Sequence, residues 1–146
     1  MKYFTANEIG RVVVINLQKG DRVLPSIQLA IDELNIKSGI VVSGIGSLRA
    51  AEYHAIATLD DHPTDKFFKF DAPMEMGSIQ GLVLEGTPHL HYTFSDEKQT
   101  FTGHMEPDTV VQYLAEIVLL EINDLNLVHR KNEFGVAYIA DAGDGG

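Results

Sequence analysis

This chain of 146 residues contains no cysteine, no long apolar run and no apolar segment near its first residues. Without cysteine, disulfide bonds, thiolate metal sites and cysteine nucleophiles are excluded together. The sequence contains no apolar run of about eighteen residues, so a membrane-spanning helix is not expected. The opening residues MKYFTANEIGR lack the apolar segment of a signal peptide. We therefore expect a cytoplasmic protein.

Positive charge is scarce as well. Eleven lysines and arginines stand against twenty-one aspartates and glutamates, which gives a formal net charge of −10. A protein that binds nucleic acid by neutralising phosphates needs a basic patch. Here the basic residues are scattered, and Arg130-Lys131 is their only adjacent pair. The charge balance therefore counts against direct binding of DNA.

The chain has the length of one ordinary domain, and its composition, 45% hydrophobic and 22% charged, is typical of a soluble globular protein. A helix is predicted from about Val23, where apolar side chains recur at helical spacing up to Leu34. We expect Asp21 to cap it and Pro25 to be tolerated in its first turn. Asn35 through Gly39 should end the helix.

The rest of the chain favours β-strands, with turns between them. The segment from Thr109 to Ile122 is mostly apolar and fits a helix, a strand, or a short helix leading into a strand. We predict an α+β fold with a mixed, mainly antiparallel β-sheet and one main α-helix. Residues 1–140 should form a single domain, and residues 141–146, which are polar and glycine-rich, should form a flexible tail.

Three of the six histidines lie within sixteen residues, in the segments PHLHYTF and GHM. Side chains two residues apart on a strand share a face, so His89 and His91 point the same way. Matching the apolar faces of the two strands puts His104 on that same side, opposite His91, with Ser95 to Thr100 as the connecting loop. The strand phase alone thus predicts that three imidazoles share one polar face.

Three neutral imidazoles on neighbouring strands can bind a divalent ion and leave one coordination position open. Zinc suits this set best, and iron, nickel and copper are alternatives. Glu106 and Glu116 are candidates for a fourth ligand or for a hydrogen-bond partner of an imidazole. His54 lies in an apolar strand, so a structural role is expected, although the strand could bring it to the site. The competing interpretation is that these are ordinary polar positions facing solvent.

Five motifs in this order resemble the PPC domain, the plants-and-prokaryotes-conserved domain. They are Gly44-Ile-Gly-Ser-Leu48, Met74-Glu-Met-Gly-Ser-Ile-Gln-Gly81, His89-Leu-His91, Gly103-His104-Met105 and Ala115-Glu116-Ile117. The resemblance spans about Arg11 to Ile139. The family favours a more hydrophobic run around this glutamate; Glu75 is retained here, and the departure concerns only the local packing. The Arg-Gly-Arg-Pro of the AT-hook, which accompanies this domain in plant nuclear proteins, is missing.

The resemblance implies a homotrimer with His89, His91 and His104 as a metal site near a subunit interface. The predicted function is divalent-metal binding, with zinc as the first candidate and room for a small ligand. A DNA-associated regulatory role, which the family label implies, is the alternative, and a module that only assembles with partner proteins is a third. No nucleophile-elbow motif Gly-x-Ser-x-Gly occurs, no catalytic residue is assigned, and binding is preferred over catalysis.

Overall fold

The computed structural model describes residues 1–143, and in this range eight strands and one helix follow one another along the chain. In order, these elements are β1 (Ile9–Gln18), α1 (Val23–Glu33), β2 (Gly39–Ile56), β3 (Asp65–Leu84), β4 (Thr87–Ser95), β5 (Thr100–Met105), β6 (Val110–Ile122), β7 (Leu127–Lys131) and β8 (Ala137–Asp141).

Six strands form one sheet in the order β1-β6-β2-β3-β4-β5, and β5 also pairs with β2. This last pairing closes β2, β3, β4 and β5 into a ring of strands. The predicted antiparallel sheet with one helix is confirmed, although the helix is a minor part of the structure. Every ladder among the described strands is antiparallel, so the parallel part of the predicted mixed sheet is not seen there. The chain passes from β1 through α1 to β2, but these two strands are not neighbours in the sheet. Strand β6 lies between them.

Helix α1 begins at Val23 as predicted, and it buries Val23, Ile27 and Ile31 at four-residue spacing. The predicted cap by Asp21 is wrong. Arg22 occupies the cap position without a side-chain hydrogen bond, and the Asp21 carboxylate accepts a hydrogen bond from the backbone N–H of Gln18 at 2.8 Å. A hydrogen bond between backbone groups, from the start of the helix to Thr109, takes the place of the side-chain cap.

That contact joins the helix to the segment before β6. The backbone N–H of Val23 donates to the carbonyl oxygen of Thr109 at 2.9 Å. Thr109 to Ile122, for which the sequence left helix and strand open, forms strand β6 from Val110 onward. It pairs with β1 on one side and β2 on the other. Alternate residues of β6 (Val111, Ala115, Ile117 and Leu119) are buried, and the opposite face carries further apolar side chains such as Leu114, which explains the ambiguous pattern.

Two close backbone approaches explain glycines in the sheet. A Cβ at Gly44 would lie 1.7 Å from Cγ2 of Ile79, and a Cβ at Gly46 would lie 2.6 Å from that of Ala115. The glycines of the GIGSL motif therefore permit tight packing between strands and the core, as expected from their place in a strand.

The β7–β8 hairpin forms a separate two-stranded sheet that buries Leu127, Val128 and Ala140. Asp141 ends β8, and the backbone N–H of Ala142 donates to the carbonyl oxygen of Asn126. The rest of the predicted tail, residues 144–146, lies outside the described residues. Among residues 1–143, no helix has the length and apolar character needed to cross a membrane.

Candidate metal centre

The β4–β5 hairpin places the three predicted histidines side by side. His91 lies directly opposite His104 in the antiparallel ladder, and His89 lies two residues before His91 on β4. Leu90, Tyr92 and Phe94 alternate with the histidines and are buried, while His89 and His91 are exposed and His104 is half-buried. The register and the shared face that the strand phase predicted are both present.

The ring separations suit convergence on one ion. The ring centroids lie 5.4 Å apart for His89 and His91, 4.9 Å for His89 and His104, and 5.5 Å for His91 and His104. One nitrogen from each ring lies within 4.8 Å of the others. A tetrahedral zinc ion bound at 2.0–2.1 Å needs nitrogens about 3.3 Å apart, which small rotations of exposed side chains can supply. The donor set and its spacing therefore fit a divalent ion.

The surroundings keep these imidazoles neutral. Burial, followed by the neighbouring rings of His54, His89 and His91, lowers the pKa of His104 to about 4. Desolvation by neighbouring groups also lowers the pKa of His89 and of His91, with smaller contributions from nearby histidines. A neutral imidazole has the free lone pair that a metal ion requires, so little competition from protons is expected near neutral pH.

His54 lies beside this cluster. It pairs with His104 across β2 and β5, and the two rings stack with centroids 4.3 Å apart. Its Nδ1 lies 2.6 Å from Oε1 of Glu106 in a hydrogen bond. The predicted partner carboxylate Glu106 is therefore at the site, bound to His54 rather than to the three predicted ligands. The sequence could not show this, because the contact depends on a long-range pairing of β2 with β5.

Glu116, the other candidate carboxylate, lies elsewhere. It is exposed on β6 between Asn16 of β1 and Ile45 of β2. Ile45 and His54 are nine positions apart on β2, which corresponds to about 30 Å of strand at about 3.3 Å per residue. The structure thus does not bring Glu116 to the histidines.

The two-stranded sheet contributes a fifth histidine, in addition to His54, His89, His91 and His104. His129 of β7 has its ring centroid 5.5 Å from that of His89. Five of the six histidines of the chain consequently gather around the β4–β5 hairpin, and the sixth, His62, packs its ring edge-on to Phe134. Sequence reasoning missed His129, because it lies 25 residues beyond His104 on a separate hairpin whose docking leaves no local signal.

A buried hydrogen-bond cluster holds the strands beneath the histidines. The hydroxyl of Tyr92 donates to the carbonyl oxygen of Glu52 at 2.9 Å and lies 3.1 Å from Oγ1 of Thr109. Thr109 Oγ1 also accepts a hydrogen bond from the backbone N–H of Glu52. These contacts tie β4 to β2 and to the segment before β6, next to His91 and His54. They fix the positions from which the imidazoles project.

A separate open cleft of about 540 Å³ lies near the start of β6. Three of the charged groups that line it are paired: Nζ of Lys69 lies 2.8 Å from Oε1 of Glu52 and 3.3 Å from Oδ2 of Asp108. Neighbouring opposite charges satisfy these three groups, so they are less available to bind a metal ion than the histidines of the β4–β5 hairpin.

Residues 4–123 match the family model of the Plants and Prokaryotes Conserved (PCC) domain. The match covers most of the chain and ends before the β7–β8 hairpin. This chain belongs to that family.

Solved structures share the fold at low sequence identity. A metal-containing protein from Archaeoglobus fulgidus superposes with a TM-score of 0.81 at 20% identity, over 97% of this chain and 100% of that one. A plant- and prokaryote-conserved (PPC) protein from Pyrococcus horikoshii gives 0.80 at 22% identity, over 97% and 98%. A protein from Bacteroides thetaiotaomicron, provisionally named as DNA-binding, gives 0.73 at 18% identity, over 93% and 96%.

One curated relative is a much longer protein. Over 87 residues the chain is 30% identical to the bifunctional protein GlmU of Synechococcus sp. (strain JA-2-3B'a(2-13)), a stretch that covers 59% of this chain. The same stretch covers 13% of that protein.

Proposed function

We propose that this protein binds a divalent metal ion, with zinc as the first candidate, through His89, His91 and His104. The observation that carries the proposal is the convergence of three neutral ring nitrogens within 4.8 Å on one accessible face. The likeness in fold to a metal-containing protein from Archaeoglobus fulgidus adds support. Scattered surface histidines would have no reason to share this spacing.

Three protein ligands leave a coordination position for another group. When bound, a divalent ion supplies a Lewis acid at that position. His89 and His91 are exposed, so a small anionic ligand can reach it from solvent. The pairing of β5 with β4 fixes the backbone of His104 directly opposite His91. The position of its ring relative to the other two ligands is set by this pairing. A metal-binding role accounts for the three ligands and the open coordination position, and it needs no additional catalytic residue.

We further propose that the chain assembles as a homotrimer. Support comes from the outer face of β1, β6 and β2, where apolar side chains are exposed to solvent. Val12 and Val14 of β1, Leu114 of β6 and Ile45 of β2 are 63%, 69%, 44% and 52% exposed, and they surround the single carboxylate of Glu116. Several large apolar side chains exposed on neighbouring strands of one sheet face are typical of a protein interface. Burial of this face against other copies of the chain would remove it from water.

The alternative is a DNA-associated regulatory role, which the provisional name of the Bacteroides thetaiotaomicron neighbour suggests. The net charge of −10 per chain opposes direct contact with phosphates. A gel-shift titration at low salt separates the two roles, because micromolar, salt-sensitive binding would favour the DNA-associated one.

Elemental analysis of protein purified without a histidine tag tests the metal proposal. We expect about one tightly bound ion per chain, as a three-histidine site provides. His91→Ala should lose it, and His62→Ala, which removes a histidine outside the cluster, should keep it. A wild-type protein without stoichiometric metal, or a His91→Ala protein with unchanged metal, would contradict the proposal.

A further inference from the structure

A second set of metal-binding groups adjoins the three histidines. His54, His104 and Glu106 each have a ligand atom within 4.8 Å of the other two. All three residues are half-buried, and the side chains of His54 and Glu106 are 22% and 20% exposed. Two imidazoles and a carboxylate are a donor set that zinc and similar ions accept.

Strand order places His104 between the two sets. Strand β5 pairs with β4 on one side and with β2 on the other. His104 therefore has His91 as its cross-strand neighbour on β4 and His54 as its cross-strand neighbour on β2. The three rings form a row across three strands: the His54 ring stacks on the His104 ring with centroids 4.3 Å apart, and the His91 ring stands nearly perpendicular to it at 5.5 Å.

The carboxylate of the second set is fixed in place by its backbone. The N–H of Glu106 donates to the carbonyl oxygen of Glu52 at 3.0 Å, which continues the pairing of β5 with β2. The side chain then reaches back to Nδ1 of His54 at 2.6 Å. A partly buried carboxylate held against an imidazole is already positioned to share an ion with it, because little side-chain freedom is left to lose.

We propose that His54, His104 and Glu106 form a second metal-ion site, so that the histidine face is a dinuclear centre with His104 as the shared ligand. The proposal rests on the proposed function, because His104 also belongs to the first site. Each ring nitrogen of His104 binds one ion, and the ring releases its remaining N–H proton to solvent. On His54, the Nδ1 proton that Glu106 accepts moves to Nε2, and the ion takes its place between the two residues.

Nearby negative charge favours a second cation at this end of the cluster. The carboxylate of Glu106 is a ligand itself, and Asp65 lies close enough to act electrostatically on His104. The first site, by contrast, consists of imidazoles alone. The second ion should bind more weakly than the first. It must displace the hydrogen bond between His54 and Glu106 and the remaining N–H proton of His104, which the first ion leaves in place.

Titration of the chelator-treated, untagged full-length protein with Co²⁺ tests this, with visible absorption reporting the ligand field and calorimetry the stoichiometry. We expect about two equivalents in the wild type, the second at least tenfold weaker than the first. Glu106→Gln and His54→Gln should lose the second equivalent and keep the first. Glu116→Gln, which changes a glutamate remote from the histidines, should match the wild type.

His91→Ala separates the two proposals. It should abolish the tight equivalent while a weak one, sensitive to Glu106→Gln, remains. A single equivalent in the wild type that is lost in His91→Ala and unaffected by Glu106→Gln would overturn the second site and leave the first intact. Absence of any Co²⁺ binding in the wild type, checked with Zn²⁺, would overturn both.

Discussion

His91 of β4 and His104 of β5 are opposed partners in one antiparallel ladder, and their ring centroids are 5.5 Å apart. A shift of the register by one residue would turn every side chain of one strand to the other face of the sheet. His104 would then point to the core and Met105 to solvent. The candidate metal centre therefore depends on whatever holds β5 in register.

Gly103 is one such position, because β5 approaches β2 closely there. A Cβ would lie 2.4 Å from the Tyr53 ring and 2.6 Å from the carbonyl oxygen of His54. We expect Gly103→Ala to lower the free energy of unfolding by about 2 kcal/mol through overpacking, and to weaken metal binding as well. Gly77→Ala is the matched control, because its Cβ would meet nothing within 4 Å. Urea denaturation of both variants measures the effect, and equal losses would refute the argument.

The Tyr92 hydroxyl makes the second contact that holds the site strands. Tyr92→Phe removes its hydrogen bonds to Glu52 and Thr109 while keeping the buried ring. We expect a loss of about 1 kcal/mol, the usual net value of a buried hydrogen bond. Thr109→Val should cost more, because the backbone N–H of Glu52 also loses its acceptor. A double-mutant cycle by chemical denaturation measures the coupling, and strictly additive losses would show that the two hydroxyls do not interact.

The strand phase of the sequence was enough to predict the β4–β5 hairpin, its register and the shared face of three histidines. These features are local, and alternation of polar and apolar residues determines them. His54, Glu106 and His129 could not be placed in the same way, because β2 and β7 reach the hairpin through tertiary pairing. The expectation that Asp21 caps α1 failed for a related reason, since a backbone carbonyl from the segment before β6 meets the helix start.

Acid should destabilise the metal-free protein in a defined window. Burial lowers the pKa of His104 to about 4, and also lowers that of His89 and His91. In the unfolded chain these groups titrate near 6.5, so below that pH the unfolded state binds more protons and the folded state loses stability. The free energy of unfolding with chelator present should therefore fall from about pH 6.5 toward pH 4.

His104→Gln is the control for this pH dependence, because glutamine keeps a polar side chain and does not titrate. Its unfolding free energy should fall less steeply over the same window. Identical slopes for the variant and the wild type would show that the pKa of His104 is not perturbed in the folded protein.

The exposed apolar face of β1, β6 and β2 predicts self-association. We expect sedimentation velocity to give about 48 kDa, which is three copies of the 16.1-kDa chain. Val14→Lys places a charge in the face and should shift the protein to smaller species. Leu59→Lys adds the same charge at a fully exposed position outside the strands and should not. A wild-type monomer would contradict this prediction.

The most direct test of the central claim is a crystal structure of the zinc-loaded protein with anomalous data collected on both sides of the zinc absorption edge. We expect an edge-dependent peak at about 2.0–2.1 Å from one nitrogen of each of His89, His91 and His104. A zinc-loaded crystal with no such peak between these rings, or with zinc bound only at other residues, would contradict it.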